Sequence, residues 1–342
     1  MKRLILINIL LLCSIVILGQ EIHFSQYYRS PYIVNPALSG HTGCGLYIGG
    51  NYRSQGKSVS TPYVSQSVFV DGRIQPWFTG NGWFGLGATV VNDKAGDGAL
   101  RTTGGIVHLA WSGAFGESGN FVTSIGFSGG YFTRNIDQDK LVFGSQWTGQ
   151  GFDPTISSGE PLLSVDPYLD LGAGMLIRYR YSNDFDFHLG TSLYHINNPD
   201  ISFYEDNTWQ LDWKWVIHGS GRGAINEEME IEPGFMFVSQ SSQEELFVGY
   251  QELILGANVL YDFYDATLYG GLWARFSGDI IPLVGIEYSG WQLLMSYDVN
   301  VSGLHKASKS MGGFEFSLSK KLFCSEKERR PKYDPCRNLE YR

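Results

Sequence analysis

The chain has 342 residues, 34 acidic side chains against 25 basic ones, 43 glycines, and an aromatic content of 15%. Its length allows one large domain or two ordinary ones. Apolar runs of about 20 residues do not recur, which excludes a helical membrane protein. The acidic balance, with no basic patch interleaved with aromatics, excludes a nucleic-acid binder.

Residues 1–20, "MKRLILINILLLCSIVILGQ", join Lys2 and Arg3 to an apolar core and end in Gly19-Gln20. This is the pattern of a secretory signal peptide cleaved near Gly19 or Gln20. Leu12 is too bulky to make Cys13 a lipoprotein processing site. Removing the leader leaves 23 basic against 34 acidic residues. Eight basic and four acidic residues fall in Lys320 to Arg342, so the body is strongly acidic.

Residues 21–42 lack clean alternation and carry Phe24, Tyr27, Tyr28 and Tyr32 with Pro31, Asn35 and Pro36. They read as a periplasmic or plug segment, either a lead-in packed across the periplasmic mouth or a docking strip for partners. Phe24, Tyr27, Tyr28, Asn35 and Pro36 are its candidate partner-binding residues.

From residue 43 a period of two takes over. In "LDLGAGMLIRYRY" (169–181) every odd-numbered side chain is apolar, whereas the even ones include Asp170, Gly172, Gly174, Arg178 and Arg180. Alternation of this kind is the signature of a strand with two different faces. The pattern predicts fourteen strands, at about 43–55, 62–74, 82–92, 99–112, 119–133, 168–181, 185–196, 211–224, 228–240, 250–262, 265–277, 279–288, 290–300 and 310–320. Leu294 breaks the alternation in its strand.

Most of these segments are about twice as long as a usual soluble strand. Their polar faces hold glycine, serine and scattered charge rather than the Lys/Glu-rich face of a soluble sheet. Both features point to an all-β fold, an antiparallel transmembrane barrel of outer-membrane type over residues 43–322, with lipid against the apolar face. An open edge is forbidden in a bilayer, so the sheet must close. Tyr52, Trp83, Trp111, Tyr131, Tyr181, Trp213, Trp215, Tyr261, Tyr288 and Trp291 lie near strand ends and fit interfacial girdles.

Connections alternate in length. "GESG" (116–119), "SND" (182–184), "INEE" (225–228) and "YDA" (264–266) are tight, whereas 134–167, 197–210 and 302–310 are long. An even strand count puts both termini on the short-turn, periplasmic side. The tail, 323–342, is too polar to extend the barrel.

Cys44, Cys324 and Cys336 survive cleavage of the leader, and the periplasm permits disulfides. Cys44 starts the first strand and Cys324 ends the last, so closure would make them neighbours. Cys44–Cys336 and Cys324–Cys336 remain open as alternatives. His188 and His218 fall on inward phases, but no nucleophile, base and orienter can be assembled around them, and no catalytic residue is assigned. No Cys/His spacing fits a metal and no glycine cluster precedes a helix, so neither metal nor cofactor is expected. The acidic loops, Asp153 and Glu160 among them, read as solvated surface, with calcium or cargo as the alternative.

Three segments go beyond architecture. "FSQYYRSPYIVNPALSG" (24–40), "GFDPTISSGE" (151–160) and "SYDVNVSGLHKASKSMGGFEFSLSKKL" (296–322), with "NYRSQ" (51–55), together resemble the PorP/SprF family, outer-membrane proteins of the Bacteroidetes type IX secretion system. The resemblance spans the mature chain in order. It implies a fourteen-stranded outer-membrane barrel that assists export and surface attachment of large cargo proteins with a type B C-terminal sorting domain, works with periplasmic ring components, and serves motility in gliding relatives. Within the outward loop, Phe152, Asp153 and Glu160 are the candidates for contact with cargo. The competing reading is a diffusion porin, disfavoured by large inward side chains such as Tyr47, Arg53, Trp273 and Arg275.

Overall fold

In the computed structural model the described residues are 21–324, apart from 59–60, 117–119, 160–164, 183–184, 204–208, 243–248 and 304. The leader, residues 325–342 with Cys336, and Glu160 of the outward loop lie outside them, whereas Phe323 and Cys324, expected in the tail, belong to the last strand. Among the described residues there are fourteen strands: β1 (Cys44–Gln55), β2 (Tyr63–Ile74), β3 (Gly82–Ala95), β4 (Leu100–Phe115), β5 (Phe121–Asn135), β6 (Tyr168–Arg180), β7 (Phe185–Tyr194), β8 (Trp213–Ala224), β9 (Met229–Ser241), β10 (Tyr250–Phe263), β11 (Ala266–Arg275), β12 (Asp279–Tyr288), β13 (Trp291–Asn300) and β14 (Met311–Cys324). Each pairs antiparallel with its sequence neighbours, and β14 pairs with β1, so the sheet is a closed barrel. Closure satisfies the backbone groups that a free edge would leave bare in hydrocarbon.

Side chains follow the two-residue period. On β6, Leu169, Leu171, Met175 and Ile177 point outward and are exposed, whereas Asp170 and Leu176 point inward and are buried. The outward set on the other strands is of the same kind, including Val68, Leu86, Val107, Phe127, Leu189, Leu272 and Val284. This apolar belt is what a bilayer core of about 30 Å requires of a barrel wall. No described helix is long and apolar enough to cross a membrane.

One expectation changes. Trp83 is not a girdle residue. It sits on the inward phase of β3, 7% exposed, with the Arg73 guanidinium 4.0 Å from its ring centroid and His41 beside it. Leu294, which broke the alternation, also points inward, where it packs with Leu260, Tyr269 and Leu283 against Tyr28. An apolar side chain is allowed there because the lumen at that level is filled with protein.

Short links join β2–β3, β4–β5, β6–β7, β8–β9, β10–β11 and β12–β13 at one end of the barrel, and β1 begins and β14 ends at that same end. The other end carries the long segments 136–167 and 195–212. At the short-turn rim Cys44 and Cys324 are register partners and are joined by a disulfide with an S–S distance of 2.00 Å.

Candidate functional site

The lumen is occupied by the chain's own amino-terminal segment. Residues 21–41 do not cross one mouth. They enter the interior at the long-loop end and run down the inside of the wall to the short-turn rim, where β1 begins. Phe24, Tyr27, Tyr28, Asn35 and Pro36 therefore face the barrel's own lining. All but the half-buried Tyr28 are buried against it. The lumen of fourteen strands is wider than its inward side chains can fill, and a segment without alternation can pack on all its faces.

The first contact is a latch at the long-loop mouth. Lys214 Nζ, near the start of β8, donates to Glu21 Oε2 at 3.0 Å, and His195 Nε2, just past β7, lies 2.8 Å from Glu21 Oε1. His195 Nδ1 lies 2.9 Å from Asp170 Oδ1 at the corresponding end of β6. Burial alone would lower the His195 pKa, but Glu21 and Asp170 outweigh it and raise it to about 9. Burial would likewise raise Glu21, but the His195 and Lys214 charges hold its carboxyl far below the usual carboxylate range.

A second layer clamps residues 25–26. Ser25 N and Gln26 N donate to the two oxygens of Glu315 at 2.7 and 2.8 Å. Ser25 Oγ donates to Asp298 at 2.9 Å. Arg53 Nη2 and Arg275 Nη1 both reach Asp298, at 2.7 and 3.0 Å, and Arg275 also meets Asp279 and Glu252. These charges are almost wholly buried, so each survives only by being paired. Below them Tyr27 and Tyr28 pack on Trp273, with ring centroids 5.7 and 5.0 Å away.

Asn35 is the central fixing point. Its Oδ1 accepts from Ala37 N at 2.9 Å, and its Nδ2 donates to the backbone oxygens of Met175 on β6 and Thr191 on β7 at 2.9 and 3.2 Å. His218 Nε2 lies 3.1 Å from the same Nδ2. The wall makes room with glycine: a Cβ on Gly174 would come within 2.1 Å of Asn35 Oδ1, and one on Gly126 within 2.3 Å of Ala37 N. Further down, Gly40 N donates to Asp71 Oδ2 at 2.9 Å, and His41 Nε2 meets Ser124 Oγ at 2.7 Å. Thus the glycine-rich face of "LDLGAGMLIRYRY" is the bed of the segment.

Filling is uneven. Beside residues 22–24 a cavity of about 40 Å³ is walled by apolar Ile22, Phe24, Val216 and Met236 together with charged Lys214 and Glu252. It has room for a few waters and no more. Toward the short-turn end, inward side chains that are buried elsewhere become half-buried: Arg178 with Asp186 (2.7 Å), Arg222 with Glu230 (3.5 Å) and Glu232, and Lys321 with Glu287 (3.6 Å). This vestibule is charged and partly open to solvent, and the segment above it lies between it and the long-loop mouth.

The histidines have structural partners. His108 bonds Thr89 at 3.1 Å, His188 lies 3.4 Å from Ser220 Oγ, and His218 meets Asn35. No group of three or more His, Cys, Asp or Glu able to hold a metal occurs among the described residues. On the long loop, Phe152 is exposed and stacks edge-on with exposed Trp147, the two being bridged partners. Asp153 turns the next residues by accepting from Thr155 N and Oγ1 at 2.9 and 2.7 Å. Sequence reasoning missed Glu21, His195 and Lys214 as a group. The inward phase of Lys214 was the available signal, and its partners are far away in sequence.

A family model described as type IX secretion system membrane protein PorP/SprF matches residues 17–319, most of the chain. The chain belongs to the PorP/SprF family. No curated protein matches it in sequence. In fold it is similar to CymD, a monoaromatic hydrocarbon channel (TM-score 0.49, 11% identity, 89% of this chain and 95% of that one). It is also similar to the Pseudomonas putida toluene transporter TodX (TM-score 0.49, 11% identity, 88% and 93%) and to the KdgM porin (TM-score 0.38, 10% identity, 80% and 99%). At such identities the likeness is one of barrel architecture alone. PorP/SprF members are type IX secretion membrane proteins, and this one is a barrel with its interior occupied.

Proposed function

We propose that this PorP/SprF barrel is a non-enzymatic outer-membrane component that assists export and holds large secreted cargo, with a C-terminal sorting domain of type B, at the cell surface. The observation that carries the reading is the family match together with a lumen filled from Glu21 to His41. A barrel whose interior is taken up by its own chain is suited to act through its rims. The long-loop rim offers Trp147 and Phe152, exposed aromatics of the kind that anchor protein interfaces. In this reading the short turns, the charged vestibule and the tail face the periplasm, where the secretion ring components lie, and the outward face of the wall meets lipid.

The diffusion-porin reading is disfavoured by the same filling, since the buried Arg53, Arg275 and Asn35 contacts close the long-loop half of the lumen. Surface proteomics of a deletion strain tests the proposal. One large secreted protein should leave the surface fraction while general secretion persists, and a Trp147→Ala/Phe152→Ala double variant should lower its surface level several-fold with the barrel still present in the membrane. An unchanged surface proteome would remove the proposal.

A further inference from the structure

The amino-terminal segment starts at the opposite end of the barrel from the strand it leads into. Glu21 is tied to Lys214 and His195, which stand at the long-loop ends of β8 and β7, whereas Cys44 stands at the short-turn rim beside Cys324. The intervening contacts keep that order: Ser25 with Asp298, Asn35 with Met175, Gly40 with Asp71, and His41 with Ser124. Some twenty residues, at up to about 3.3 Å each, are ample to traverse a hydrocarbon core of about 30 Å.

Long loops face the exterior in barrels of this class. From these facts the geometry points to a mature amino terminus displayed at the cell surface, with the first residues emerging among the long loops and Glu21 as their anchor. This goes beyond the cargo reading and rests on the orientation used there and on removal of the leader near Gly19 or Gln20. It also departs from the expectation that both termini share the periplasmic side: the amino-terminal end and the end of β14 lie on opposite faces.

The placement constrains assembly. A leader still held in the inner membrane would have to pass through a lumen that residues 21–41 already occupy. The order of events that avoids this is cleavage of the leader first and then laying of the freed end along the inner face of β6 and β7. The latch is suited to holding such an end. A single carboxylate takes a lysine from β8 and a histidine just past the end of β7, and both are nearly buried in the final barrel.

Epitope insertion in the full-length protein tests the proposal. One tag is placed between Gln20 and Glu21, a second after Gly151 in the long loop, and a third after Tyr264 in a short turn. Antibody binding is read on intact cells and again after the outer membrane is permeabilised. Folding of each tagged protein is checked by heat-modifiable migration, and leader removal by the mass of the amino-terminal peptide. The amino-terminal and Gly151 tags should both be read on intact cells, and the Tyr264 tag should gain signal at least tenfold on permeabilisation.

An amino-terminal tag that behaves like the Tyr264 tag while the Gly151 tag stays exposed would overturn the proposal and leave the cargo reading standing. A hidden Gly151 tag with an exposed Tyr264 tag would overturn the shared orientation and the proposal with it. Glu21→Ala, which removes the latch and leaves the wall intact, should make residues 21–25 at least several-fold more sensitive to protease added outside. Equal sensitivity in the two proteins would reject Glu21 as the anchor.

Discussion

His195 shows how much one side chain outside the strands can carry. It gathers Glu21 from the amino-terminal segment and Asp170 from β6, and its pKa rises to about 9. A histidine raised in the folded state above its ordinary value near 6.5 stabilises fully below about 6.5. That contribution falls as pH climbs through 9, where the imidazole loses its proton in the folded protein too. Urea unfolding in detergent should therefore show stability dropping by an amount on the order of 2–3 kcal/mol between pH 6.5 and 9.5. His195→Gln should flatten that slope, and an equal slope in the variant would assign it to another group. Glu21 does not confound the window, because its depressed carboxyl stays ionised throughout it. The His195 cluster was not legible in the sequence, because Glu21 is far along the chain from Asp170 and His195 and reaches them only by lying inside the lumen.

At the level of elements, alternation located all fourteen strands, with ends within about four residues, as in 310–320 against Met311–Cys324. The reason is physical: lipid on one face and filled lumen on the other make each strand two-sided along its length. Trp83 shows the limit. Its phase, opposite to Phe84 and Leu86, already placed it inward, and only its nearness to a strand end suggested a girdle. The course of residues 21–41 was less legible, because their fit depends on glycines brought to one place from β3, β5, β6 and β7. The rim disulfide joins residues 280 apart. Loop-closure arguments give such a bond about 2–5 kcal/mol of stabilisation. Cys324→Ser should lower the unfolding midpoint by an equivalent amount, and reductant should have the same effect on the wild type and none on the variant. Non-reducing peptide mapping should recover a Cys44–Cys324 pair, and a Cys336-containing pair would refute it.

For the molecule as a whole, the filled lumen predicts electrical silence. Purified protein in a planar bilayer should give no steady ohmic conductance, because residues 21–35 fill the long-loop half of the interior and are bonded to its lining from Lys214 to His218. Gly174→Leu forces four extra carbons against Asn35 Oδ1, where even a Cβ would sit at 2.1 Å, and overpacking of this kind costs about 1–3 kcal/mol or more. The strained segment should give way before the wall does, so the variant should conduct while keeping barrel migration on gels. A silent, fully folded Gly174→Leu protein would show that the segment is held more firmly than these contacts imply.

The covalent staple between Cys44 and Cys324 has a bearing on how such a cylinder can meet other polypeptides. The meeting line of β1 and β14 is where a barrel could part sideways and lend its backbone to a foreign strand. With that line pinned at one rim by a sulfur bridge, zipper-like insertion from the stapled end is shut off. A foreign strand could enter the seam only from the opposite rim, so the wall stays sealed at the stapled end.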